Sequence, residues 1–174
     1  RGAASRSPFP RKTTRSEECQ LFMKKTFLIQ TLEDWDSCLD ALEPLLRTGS
    51  VLALSGPLGA GKTTFVQRLA VRLGSASVPK SPTFSLLRTY PLAHPALRRL
   101  LHVDAYRLEN EAEMRVLNLE EELEGPGTIV ALEWPERIPL WLVGRAERAI
   151  WLTITPQEDG TRETVLEAQA PQPA

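Results

Sequence analysis

An α/β sandwich with a mixed β-sheet and a C-terminal β-hairpin is the fold class this sequence predicts. Apolar runs of strand length at Val51–Leu54, Leu100–Asp104 and Thr128–Leu132 are interleaved with stretches of helical periodicity. Near the end of the chain, Ala149–Thr155 and Arg162–Glu167 alternate on either side of Asp159-Gly160, the pattern of a hairpin. The turn after Val51–Leu54 is rich in glycine and opens straight into a helical pattern, which ties the fold to a function.

Taken in order, residues 1–22 mix Arg, Ser, Pro and Thr without apolar periodicity and are expected to form a disordered extension. The folded domain is expected over 23–168, with a frayed Pro/Ala-rich tail at 169–174. Thr26–Gln30 alternates as a strand. Thr31 then reads as a helix cap with Asp34 three residues on, starting a helix that turns Trp35, Leu39, Leu42, Leu45 and Leu46 inward and finishes near Gly49. Pro44 is a kink within it. The Val51 strand leads through the glycine-rich turn to a helix from Lys62 to Leu73, closed by Gly74, with Phe65, Leu69 and Leu73 on one face. Lys80–Tyr90 begins as a loop and becomes a strand, and residues 91–98 are a connection containing proline. The Leu100–Asp104 strand, an acidic helical region over Glu111–Leu123 and the Thr128–Leu132 strand follow. Leu140–Val143 is a short helix or turn before the hairpin.

Gly56, Gly61, Lys62 and Thr63 fill the spacing G-x-x-x-x-G-K-[ST] of a phosphate-binding loop, or P-loop. Each residue type answers a physical need. Glycine permits backbone angles that let main-chain N–H groups close around a phosphate, and the helix that follows turns its positive end to the same place. Lys62 brings a mobile charge for the β- and γ-phosphates, and the Thr63 hydroxyl is a Mg²⁺ ligand. Around this loop the fold reads as a P-loop NTPase-like three-layer sandwich.

A Mg²⁺–nucleotide site needs one or two carboxylates as well, normally where strands beside the loop strand end. Asp104 and Glu133 close two apolar runs and are the candidates. One holds Mg²⁺, directly or through water, while the other orients the attacking water or tunes the first; the residues alone leave the assignment open. Thr83 lies in a polar loop before a strand, where small NTPases keep a segment that senses the γ-phosphate. His102 alternates with Leu101 and Val103 and reads as a core histidine, and Arg107 as an exposed arginine or an ion-pair partner.

The order GPLGAGKTTFVQ, KSPTFSLLRTY, LHVDAYRLE and ALEWPERI resembles the bacterial TsaE family over about Phe27 to Leu166. The resemblance implies an ATPase that works with the TsaB–TsaD pair to attach threonylcarbamoyl to adenosine 37 of tRNAs reading ANN codons. The tRNA would be met only indirectly. It also implies ATP and Mg²⁺ as cofactors. Gly59, Ala60, Gly61, Lys62, Thr63 and Thr64 match the family's ATP-phosphate loop, Glu133 its acidic Mg²⁺ residue and Asp104 the other acid needed for hydrolysis. Trp134 matches the tryptophan beside that glutamate, Thr83 falls in the switch-like segment, and Thr31 aligns with a position near the adenine. Pro57 departs from the family's usual aspartate and removes both an N–H and a charge.

Composition bounds the alternatives. The chain has 174 residues, 42% hydrophobic and 25% charged, which suits one domain with its own core. A net charge of −1 offers no basic field for bare nucleic acid. Cys19 and Cys38 occupy no metal or redox spacing, and no apolar run reaches membrane length. A soluble, cytoplasmic protein is expected, with no membrane partner. A small-molecule kinase shares the loop, but Glu109, Glu111 and Glu113 make a poor phosphate lid. A third class is a nucleotide-gated assembly factor in which binding alone does the work. No N-K-x-D motif supports a GTPase.

Overall fold

A computed structural model of the chain describes residues 22–80, 82, 85–108, 112–113 and 118–169. Seven strands form one mixed sheet: β1 (Phe22–Ile29), β2 (Val51–Ser55), β3 (Leu87–Pro91), β4 (Arg99–Asp104), β5 (Thr128–Glu133), β6 (Ala149–Pro156) and β7 (Arg162–Gln169), in the order β1-β7-β6-β2-β5-β4-β3. The central four, β6, β2, β5 and β4, run parallel, and β3, β7 and β1 add antiparallel edges. Every residue of β5, and all of β4 but its first, is buried, as expected of parallel strands covered on both faces.

The covering layers follow from side-chain spacing. Helix α1 (Trp35–Leu42) buries Trp35, Cys38, Leu39 and Leu42, one stripe of a helix, and α2 (Lys62–Arg72) buries Phe65, Val66, Leu69 and Ala70. Both pack with Leu52, Leu54, Leu100, Ile129 and Ala131 in one core. On the opposite face Val51, Leu101, Val103, Val130 and Leu132 meet Leu119 and Leu123 of α3 (Leu119–Glu124) and Leu142 of α4 (Pro139–Val143). Alternate residues of the same strands thus feed two cores. The molecule is a three-layer α/β sandwich, and β6 and β7 are the expected hairpin.

Three element boundaries differ from expectation. β1 begins at Phe22 rather than near Thr26, because its whole length pairs with β7 from Gln169 to Arg162. α1 stops at Leu42 and a single 3₁₀ turn over Glu43–Leu45 takes its place, so Pro44 ends the helix instead of kinking it. The helix also starts later than Thr31. The Asp34 carboxylate accepts hydrogen bonds from the N–H groups of Thr31 (2.7 Å) and Gln30 (2.8 Å), and the helix begins at Trp35. Of the acidic region over Glu111–Leu123, residues 112–113 lie in a 3₁₀ turn and an α-helix runs from Leu119; Glu109, Glu111, residues 1–21 with Cys19, and 170–174 lie outside the described residues. Among the described residues no helix is long and apolar enough to cross a membrane.

Candidate functional site

Parallel strands end at one edge of the sheet, so β2, β4 and β5 deliver their last residues to a common crevice. The glycine-rich loop leaves β2 there. Gly56, with φ +145°, lies so close to β6 that a Cβ would run into the Ile154 carbonyl oxygen. Gly61, with φ +108°, caps the start of α2, whose N–H groups face the loop. Ala60 is buried and its N–H donates to the Pro57 carbonyl at 3.1 Å, closing the turn. Gly59 (φ +77°) and Pro57 face solvent.

Lys62 is 95% buried, being only 5% exposed, and its ammonium is held at home. Nζ donates to the carbonyls of Gly56 (2.7 Å) and Pro57 (3.0 Å) and sits 3.9 Å above the Trp134 ring centroid. Burial pulls its pKa below the ordinary lysine value, against the opposing charges of Glu133, Glu136 and Asp104. Thr63, one residue on, donates from Oγ1 to Glu133 Oε1 at 2.8 Å.

Glu133 and Asp104 are register partners at the ends of β5 and β4, both buried. Asp104 Oδ1 accepts the Tyr106 N–H at 3.0 Å as the chain turns out of the strand. His102, two residues before Asp104 and fully buried, bonds Glu133 Oε1 through Nε2 at 2.8 Å. Trp134 follows with φ +61°, a left-handed conformation unusual for a bulky side chain, which turns its ring under Lys62 and against Tyr106 at 4.9 Å between centroids. The geometry thus joins Lys62, Thr63, Glu133 and Trp134 directly, with Asp104 beside Glu133.

With that geometry in place, the family model described as "Threonylcarbamoyl adenosine biosynthesis protein TsaE" is found to match residues 29–164. The chain belongs to the TsaE family. A Nostoc protein named as a tRNA threonylcarbamoyladenosine biosynthesis protein TsaE is 40% identical over 142 residues, 78% of this chain and 82% of that protein. A Treponema pallidum protein of the same name is 40% identical over 122 residues, covering 70% and 84% of the two chains. The crystal structure of YdiB from Bacillus subtilis superposes with a TM-score of 0.66 at 25% identity, over 86% of this chain and 88% of that one. The P-loop NTPase fold expected of a TsaE protein is the fold observed.

Two residues named from the TsaE resemblance are not joined to this cluster by a described contact. Thr83 lies outside the described residues. Thr31 is exposed and donates its N–H to Asp34. Thr64 is partly buried in the first turn of α2. Other contacts escaped sequence reasoning. Arg162, the first residue of β7, donates from Nε to the Ala60 carbonyl at 2.9 Å and braces the loop from the hairpin. Trp35 borders Gly61 on the same side. Nothing local in the sequence ties either to the loop, because the contacts span the chain. His102 is buried, as a core histidine should be, but its partner is Glu133.

The residues fit a magnesium-bound triphosphate. Two buried carboxylates end neighbouring strands beside the Thr63 hydroxyl, the hard oxygen donors that Mg²⁺ favours. Among the described residues no group of three or more His, Cys, Asp or Glu is placed to cage a metal. Mg²⁺ commonly takes one or two protein oxygens and completes its shell with phosphates and water.

Proposed function

We propose that this protein is a magnesium-dependent ATPase of tRNA threonylcarbamoyladenosine biosynthesis, working in the cytoplasm with a TsaB–TsaD pair. The observation that carries the reading is the Thr63–Glu133 hydrogen bond, which joins the phosphate loop to the end of the neighbouring strand.

The triphosphate lies along the loop N–H groups and the N-terminus of α2. Thr63 and Glu133 would hold Mg²⁺, which would supply neutralisation of charge on the phosphates. Lys62 exchanges the carbonyls of Gly56 and Pro57 for the terminal phosphates. Asp104 orients water for in-line attack on the γ-phosphate. Trp134 loses its cation as Lys62 moves, so the Trp134 and Thr83 segments report the nucleotide state to the partner. Turnover is slow in isolation, since the sequence offers no obvious arginine finger and the partner completes the site.

ATP turnover measured with and without the TsaB–TsaD pair tests this. Stimulation by the partners is expected, and Asp104→Asn should lower the stimulated rate ~10²-fold or more. Equal, fast rates with and without partners, or an unchanged rate in Asp104→Asn, would contradict it.

A further inference from the structure

His102 stands in the middle of β4, completely buried, with Ala131 as its register partner on β5 and Glu133 two residues further along that strand. Strand alternation puts His102, Asp104, Ala131 and Glu133 on one face, the face that α2 covers. The small Ala131 leaves room for the imidazole to lean along the strand toward Glu133. A carboxylate oxygen only accepts, so His102 Nε2 carries the hydrogen in the 2.8 Å bond to Glu133 Oε1. Thr63 Oγ1 donates to the same oxygen.

The other imidazole nitrogen, Nδ1, has no hydrogen-bond partner among the described residues. An imidazole buried with an unpaired nitrogen costs stability that leucine or phenylalanine at the same place would not. What those side chains lack is the Nε2–H. We propose that His102 is the positioning residue for Glu133, pinning Oε1 together with Thr63 so that the carboxylate is fixed in one orientation before magnesium–nucleotide arrives. Both pinning bonds fall on Oε1 and neither engages Oε2. The proposal deepens the reading of Glu133 as a metal ligand and rests on it.

Glutamine places an N–H near the position of histidine Nε2, and methionine has similar length without a donor, so His102→Gln and His102→Met form the test pair. The readout is the tightening of ADP binding by magnesium, measured by calorimetry with magnesium and with EDTA. His102→Met should lose the tightening about 10-fold while its affinity in EDTA stays near that of the unsubstituted protein, and His102→Gln should recover most of the loss. Nitrogen-15 NMR of imidazole-labelled, unsubstituted protein adds a measurement that needs no variant, with the Nε2–H tautomer expected. Undiminished tightening in His102→Met, equal losses in Met and Gln, or an Nδ1–H tautomer would overturn the proposal. Glu133→Gln separates the two levels. If it loses the tightening while His102→Met does not, positioning alone fails; if it keeps the tightening, the metal role of Glu133 fails and takes this proposal with it.

Discussion

Asp34 illustrates how a single side chain sets the entry to α1. The N–H of Thr31, then that of Gln30, holds its carboxyl below the usual carboxylate range. A carboxylate depressed in the folded state contributes stability that is present above its ordinary value of 3.8 and is lost as pH falls through the folded value. Asp34→Ala should therefore melt at a lower temperature than the unsubstituted protein at pH 7, by a small margin because the group faces solvent. The gap should close on acidification below the ordinary carboxylate range. Calorimetric scans across pH check this, and a gap that widens in acid would contradict it. Sequence reading found the same two residues, and Asp34 plays the acid's half of the capping box by accepting the Thr31 N–H, but the helix itself begins only at Trp35. Lys62 presents a similar case. Its place in the motif marks it as a phosphate ligand, yet the loop carbonyls and the Trp134 face that hold it depend on backbone turns that no spacing encodes.

At the scale of elements, α2 has two tasks: its first turn serves the loop and its buried stripe seals the sheet. Phe65 is fully buried and meets the Trp35 ring edge-on at 5.3 Å between centroids, so α1 and α2 are locked together beside Gly61. Phe65→Ala should cost ~3–5 kcal/mol of unfolding free energy by denaturant titration, and a loss below about 1 kcal/mol would mean that the two helices pack independently. The elements that sequence reading placed well are those whose periodicity is local: β2, β4, β5, α2 and the β6–β7 hairpin. The boundaries it misplaced were set from a distance. β1 extends to Phe22 because β7 offers it partners as far as Gln169.

Across the whole molecule, topology does what no single motif does. Strands β2, β4 and β5 run the same way, so a loop and two acids far apart in sequence reach one edge, while Arg162 returns from the hairpin to hold Ala60. The motif alone made the phosphate-loop candidate legible, and apolar runs ending in acids made legible the two strand ends, at Asp104 and Glu133, that lie beside it. The bond from His102 to Glu133 was not, because a buried histidine looks the same in a sequence whether it fills a core or holds a carboxylate. The central claim is that a magnesium-bound triphosphate lies in the loop ahead of Lys62, against Glu133. Calorimetric titration of the purified protein with a non-hydrolysable ATP analogue, with and without magnesium, tests it most directly. Binding that magnesium tightens, with the tightening lost in Thr63→Val and Glu133→Gln, is the expected result. No binding in the presence of magnesium, or tightening that survives both substitutions, would contradict it.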